Sequence, residues 1–173
     1  MYMYLIIGAP GQGKSPWAQK MIEGRQCFVW DINNEYGTTT KYDGQTPIML
    51  STDPKAARSR YIGWDMKQFV QLAMSRRNTV VVAEEATGFF RGHLSSPAAR
   101  LAISRKHSGN ILLFLFHSIN RVPPEIMEMA DWVVLFKTND EEKTIEKKYP
   151  RLLEAYRKAQ SFQPGQCEII KMI

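Results

Sequence analysis

The chain has 173 residues, 44% of them hydrophobic and 23% charged, which excludes a disordered or fibrous protein and suits one compact domain with a sizeable core. Lys and Arg number 23 against 17 Asp and Glu, a formal charge of +6, and that balance favours polyanionic partners. Cys27 and Cys167 form no CxxC pair, which argues against a disulfide framework or a zinc ribbon and fits a reducing cytoplasm.

Residues 2–7 are apolar and run into a glycine. They lack the basic leading segment of a signal peptide and read as a buried strand. An amphipathic helix over 15–23 follows, then a strand at Cys27–Trp30. Residues 37–64 carry Gly37, Gly44, Pro47 and Pro54 and read as loop, with a short strand near 48–50. Next come an amphipathic helix over 65–76, a strand over 79–83, a small and basic helix over 96–106 and a strand at Ile111–Phe116. That last run is the most apolar of the chain, and it falls far short of the roughly 20 residues of a membrane span. A helix over 123–130, opened by prolines, leads to a strand over 132–136. Continuous hydrophobicity without alternation marks strands covered on both faces. The expected fold is therefore α/β, a mainly parallel sheet with helices on both faces. Residues 139–173 hold a charged stretch (140–148), a helix (150–160) and an edge strand (167–173), and form a small appendage to the 1–138 core within one domain. Trp17, Trp30, Trp64 and Trp132 read as core residues, not as stacking platforms for bases.

The most specific signal comes early. Gly8-Ala9-Pro10-Gly11-Gln12-Gly13-Lys14-Ser15 fits G-x-x-x-x-G-K-[ST] at every fixed position, directly after a strand and before a helix. Such a loop lets successive backbone N–H groups converge on phosphate oxygens, backed by the positive end of the helix dipole. Lys14 supplies a cation for the β- and γ-phosphates of a nucleotide, and the Ser15 hydroxyl a ligand for Mg²⁺. Pro16 occupies the next position. It removes an amide that would otherwise face the α-phosphate, and it biases Ser15 away from helical dihedrals.

The strand over 79–83 ends in Glu84 and Glu85. A hydrolysing phosphate-loop protein needs an acid at a core strand end for Mg²⁺, usually through water, and a second group to activate or position the attacking water. Glu84 suits the first role and Glu85 the second. Ile111–Phe116 ends in His117, which lies beside the γ-phosphate if its strand neighbours the one leading into the phosphate loop. From there it can sense phosphate loss and relay it to Ser118-Ile119-Asn120-Arg121. His93 and His107 form no metal-ligand spacing with it.

Four ordered stretches resemble the FtsK/HerA superfamily of P-loop ATPases, which pump DNA. These are residues 8–15; Val29-Trp30-Asp31-Ile32-Asn33-Asn34-Glu35-Tyr36, which looks like the family's aspartate-to-glutamate-tyrosine motif; residues 80–85; and residues 105–131. His117 stands where the family generally has glutamine, and Glu84 where aspartate is commoner. The short chain is most similar to the minimal viral genome-packaging members. That resemblance implies a RecA-like core binding ATP and Mg²⁺ and acting as a ring, often a hexamer. It also implies sequence-nonspecific contact with DNA phosphates and work in the host cytoplasm or at a packaging vertex beside capsid or portal proteins, with no membrane insertion. A ring motor needs an arginine supplied by the neighbouring subunit; Arg105 ranks first, Arg121 second and Arg100 third. For DNA phosphates the basic residues are scattered: Arg58, Arg60, Arg76, Arg77, Arg91, Lys143, Lys147, Lys148, Arg151, Arg157 and Lys158, most of them reading as solvated faces. Two other readings stay open. One is a small P-loop kinase. The other is a nucleotide-switched assembly protein with little turnover, like the phage proteins of the zonular-occludens-toxin type.

Overall fold

The computed structural model describes residues 1–36, 48–89 and 97–172. Among them seven strands form a single sheet in the order β3-β2-β4-β5-β1-β6-β7. In chain order these are β1 (Met3–Ile7), β2 (Cys27–Trp30), β3 (Arg58–Tyr61), β4 (Val80–Ala83), β5 (Ile111–Phe116), β6 (Trp132–Leu135) and β7 (Glu168–Lys171). Every pairing is parallel except that of β7 with β6. The helices are α1 (Lys14–Ile22), α2 (Met66–Met74), α3 (Ala86–Phe89), α4 (Pro97–Ser108), α5 (Pro124–Met129), α6 (Glu142–Lys148) and α7 (Leu153–Ala159).

Strand side chains alternate between two cores because successive Cβ atoms point to opposite faces. Ile6, Val29, Val82, Leu113, Leu115 and Val134 face Ala18 and Ile22 of α1. Leu5, Ile7, Phe28, Trp30, Val81, Phe114 and Val133 face the other side, against α2, α4, α5, α6 and α7. On that side α2 is seated by Phe69, which stacks on Phe28 at 5.5 Å and on Trp30 at 4.7 Å between ring centroids. Its first turn is capped by the Asp65 carboxylate, which accepts from Lys67 N at 2.8 Å.

The mainly parallel sheet with helices on both faces agrees with the sequence reading, and three details differ. No regular strand forms at 48–50: the edge strand is Arg58–Tyr61, and Ser51 only makes an isolated bridge to Ser59. Most of the charged stretch 140–148 folds as α6, Glu142–Lys148, with Ile145 as its buried residue. Trp64 is 73% exposed rather than core, whereas Trp30 is fully buried; Trp17 and Trp132 are half-buried. Both cysteines are free. Arg91, His93 and much of the 37–64 loop lie outside the described residues, of which no helix is long and apolar enough to cross a membrane.

The parallel strands all point their C-terminal ends to one edge of the sheet. At the opposite edge, Asp131 ties the starts of β1 and β6: its carboxylate accepts from Met3 N at 2.7 Å, and its own N–H donates to Met3 O at 3.0 Å. Arg105, near the end of α4, buries its guanidinium against that carboxylate at 3.2 Å and donates to the carbonyls of Ala102 and Met129 at 2.6 and 2.9 Å. It is only 4% exposed. The expectation that Arg105 faces a neighbouring subunit's nucleotide is therefore corrected: the side chain is an internal clamp at the far end of the sheet from the phosphate loop.

Candidate active site

β1 lies between β5 and β6, so the phosphate loop leaves the sheet beside the end of β5. Gly8 N donates to Phe116 O at 3.1 Å and Ala9 N to Lys137 O at 2.9 Å, which pins the loop's start to both neighbouring strands. A Cβ on Gly8 would sit 2.6 Å from Phe136 Cβ, so only glycine fits this crossing. Gly11 and Gly13 adopt φ of +76° and +103°, the left-handed region that turns the loop back into α1. Pro10, Gly11 and Gln12 form its tip, and Gly165 N donates to Gln12 O at 2.9 Å from the segment leading into β7.

Lys14 curls back into the loop, where its Nζ donates to Gly8 O at 2.8 Å and Ala9 O at 3.0 Å. Burial lowers its pKa, against the opposing charges of Glu84, Glu85 and Glu35. Pro16 sits within the first turn of α1 and offers no N–H; Ser15 is helical despite the bias of a following proline. Trp17 N resumes the helical pattern by donating to Gly13 O at 3.1 Å.

Across from the loop, at the end of β4, Glu84 is 7% exposed. Its Oε2 accepts from Ser15 Oγ at 3.0 Å, and its Oε1 accepts from the hydroxyl of Tyr36. Burial pushes the Glu84 pKa up to about 7; the Tyr36 and Ser15 hydrogen bonds pull the other way, and Glu35 and Asp31 add to the rise. Glu35 is raised as well, by desolvation first and then by the charges of Asp31 and Glu85.

Glu85 points along the same edge with both carboxylate oxygens engaged. Asn33 Nδ2 donates to Oε1 at 3.3 Å, and His117 Nε2 lies 3.1 Å from Oε2. His117 N donates to Thr87 Oγ1 at 2.9 Å, which fixes the start of the 117–121 turn. Asp140 holds the next part of that turn by accepting from Ile119 N and Asn120 N at 2.8 and 3.2 Å. Arg121 follows, exposed, on the phosphate-loop edge of the sheet. Arg100 is exposed in the first turns of α4, the helix end nearer that edge.

The arrangement thus brings together Lys14, Ser15, Glu84, Glu85 and His117. It leaves Arg105 at the other end of the sheet. Three basic residues considered for DNA are engaged inside the chain rather than solvated. Arg58 donates to Ile22 O, Arg60 pairs with Asp31, and Arg76 donates to Ala56 O while lying 4.8 Å over the Phe28 ring. Arg157 and Lys158 pair with Glu142 and Glu168. Asn33 and Tyr36 reach the two glutamates across 52 and 48 residues of sequence, contacts that only the fold creates.

The donor chemistry suits Mg²⁺. A hydroxyl and a carboxylate oxygen converge from Ser15 and Glu84. Among the described residues no group of three or more His, Cys, Asp or Glu side chains could hold an ion. Mg²⁺ in phosphate-transfer sites is commonly held by one or two protein oxygens with the remaining positions filled by phosphates and water.

By sequence, no protein-family model and no curated protein matches the chain. Solved structures do. The genome packaging NTPase of Sulfolobus turreted icosahedral virus 2, in complex with ATP-gammaS, superposes over 98% of this chain and 91% of its own with a TM-score of 0.77 at 17% identity. The DNA-packaging ATPase of Sulfolobus turreted icosahedral virus matches over 99% and 98% with a TM-score of 0.70 at 18% identity. The N-terminal domain of zonular occludens toxin from Neisseria meningitidis covers 80% of this chain and 78% of its own, at a TM-score of 0.50 and 16% identity. The chain shares its fold with these viral packaging NTPases.

Proposed function

We propose that this protein hydrolyses ATP to drive DNA into a preformed viral capsid, working in the host cytoplasm as a ring of identical subunits. The observation that carries the reading is the Ser15–Glu84 contact at 3.0 Å beside a complete phosphate loop, with Glu85 next in sequence on the same edge. The full-length match to two viral packaging ATPases supports the packaging role.

In this reading the loop amides and Lys14 bind the triphosphate, and Lys14 exchanges the Gly8 and Ala9 carbonyls for phosphate oxygens. Ser15 and Glu84 would hold Mg²⁺, which when bound neutralises charge on the phosphates. Glu85, held in place by Asn33 and His117, orients and deprotonates the attacking water. His117 reports the change to the 117–121 turn. The arginine supplied to the neighbouring site is Arg121, with Arg100 second, because both are exposed on the phosphate-loop edge. DNA is gripped through its phosphates by the exposed cations that remain, such as Arg77, Lys143 and Lys147.

The test is ATP hydrolysis with and without DNA for the wild type, Lys14→Ala and Glu85→Gln. DNA should stimulate the wild type, and each variant should lose at least about 100-fold of turnover; Glu85→Gln should keep nucleotide affinity. Phosphate appearing on an acceptor instead of in solution would identify a kinase. Slow turnover that ignores Glu85→Gln would identify a nucleotide-switched assembly protein.

A further inference from the structure

The turn after β2 is built more firmly than a connecting loop requires. Asp31, 1% exposed, accepts from the N–H groups of Glu35 at 2.7 Å and Tyr36 at 3.0 Å, which folds the chain back across the end of β2. Arg60, projecting from the edge strand β3, pairs with the same carboxylate at 2.8 Å and also donates to Asn34 Oδ1. Leu50 N donates to Tyr36 O at 2.9 Å from the far side. All of this delivers one group: Tyr36, fully buried, whose hydroxyl donates to Glu84 Oε1 while Glu84 Oε2 stays on Ser15.

A glutamate has one more rotatable bond than an aspartate, and a buried carboxylate with one oxygen unbonded can swing away from an ion. The Tyr36 hydroxyl removes that freedom by occupying the oxygen that is turned away from Ser15. We propose that Tyr36 is a positioning residue of the cation site. Its hydroxyl fixes the Glu84 carboxylate with Oε2 towards Ser15, and the Asp31–Arg60 pair on the outer strands fixes the turn that carries it. This rests on the reading of Ser15 and Glu84 as the Mg²⁺ site. It predicts that the cation-dependent part of nucleotide binding depends on a phenol that touches neither ion nor nucleotide.

The experiment is titration of the full chain with a fluorescent ATP analogue, first in EDTA and then against rising Mg²⁺. Tyr36→Phe keeps the ring and deletes the hydroxyl. Its affinity in EDTA should stay within about twofold of wild type, while the Mg²⁺ concentration for half-maximal enhancement rises at least about tenfold, as for one lost hydrogen bond to a charged group. In a Glu84→Gln background the same substitution should change the Mg²⁺ requirement by less than about twofold, since the group it positions is gone. An unchanged Mg²⁺ requirement in Tyr36→Phe, or equal losses with and without Mg²⁺, overturns the proposal. A wild type that shows no Mg²⁺ enhancement at all overturns the underlying site assignment instead. A crystal structure of the wild type with Mg²⁺ and an ATP analogue gives a check independent of any variant. Tyr36 Oη on Glu84 while Glu84 faces the ion supports the proposal, and Tyr36 turned away from Glu84 refutes it.

Discussion

Two arginine–aspartate pairs stand at opposite edges of the sheet, the lower edge where the parallel strands begin and the upper edge where they end, and they do different work. Arg105–Asp131 closes the edge where β1 and β6 begin and is bonded only to carbonyls, a backbone N–H and itself. Arg60–Asp31 closes the edge where β2 and β3 end, and through Asp31 it reaches Tyr36 and Glu84. The chemistry of the pairs is the same. What separates them is the direction of the strands: in an open parallel sheet, loops at the carboxyl ends meet ligands, and those at the amino ends meet only each other.

Breaking the lower pair gives the largest effect on the fold. Arg105→Met should lower the unfolding free energy by up to about 3 kcal/mol, the low end of the cost of leaving one partner of a buried pair alone, because Asp131 is 18% exposed and keeps the Met3 N–H. ATP turnover per folded molecule should be unchanged, read by denaturant unfolding beside a hydrolysis assay at low temperature. Lost turnover at full stability would return Arg105 to the role of trans-acting arginine and erase the contrast between the edges.

On the upper edge the next effect is kinetic. His117 holds one oxygen of Glu85 at 3.1 Å, so His117→Ala should reduce hydrolysis at least about tenfold, the scale of a hydrogen bond to a charged group. His117→Gln can still donate from its amide and should keep most of the rate. Equal rates for His117→Ala and wild type would leave the histidine as no more than a polar end to β5.

The same edge should respond to pH. Glu84 titrates near 7 in the folded chain against an ordinary value of 4.5, so between those values the native state holds a proton that the unfolded chain has released. Its contribution to stability is therefore fullest below pH 4.5 and is lost as pH climbs through about 7. Cation binding needs the deprotonated form. The Mg²⁺-dependent share of nucleotide affinity should rise about tenfold per pH unit below 7 and level off above it. Glu84→Gln should flatten that profile, and a profile equally steep in the variant would assign the titration to another group.

Legibility in the sequence follows the same division by position and burial. The phosphate loop and the strand ending in Glu84 and Glu85 were readable because their chemistry is local: each sits in a run of fewer than about ten residues with a fixed spacing. Strand β3 was not, because Arg-Ser-Arg-Tyr at a sheet edge carries no apolar run; Arg58 and Arg60 read as solvated charge until β2 lies beside them. Helix α6 hid for a related reason, with one buried side chain in Ile145. Arg105 misled in the opposite sense. A basic residue late in a helix looks exposed, and only the return of the chain 26 residues later to Asp131 shows that it is buried. Tyr36 meets Glu84 across 48 residues, a contact no spacing rule contains.

The smallest expected effect belongs to Pro16, and it separates two ways of holding a nucleotide on the upper edge. In the proposed site Glu84 and Ser15 would act on the terminal phosphates through a bound ion, so disturbing them should weaken Mg²⁺–ATP more than AMP. Pro16 lies one residue further along α1, where a backbone N–H would face the α-phosphate; the ring deletes that donor, and Trp17 N is already committed to Gly13 O at 3.1 Å. Pro16→Thr restores a donor without crowding the core, since residue 16 is only half-buried. One added amide bond of ordinary net strength is worth about threefold to tenfold in affinity. Because ATP, ADP and AMP all carry an α-phosphate, the three should gain by the same factor, in EDTA as in Mg²⁺. A gain confined to Mg²⁺–ATP would place the effect in the cation site, and unchanged or weaker binding would show that the missing amide was never part of the grip.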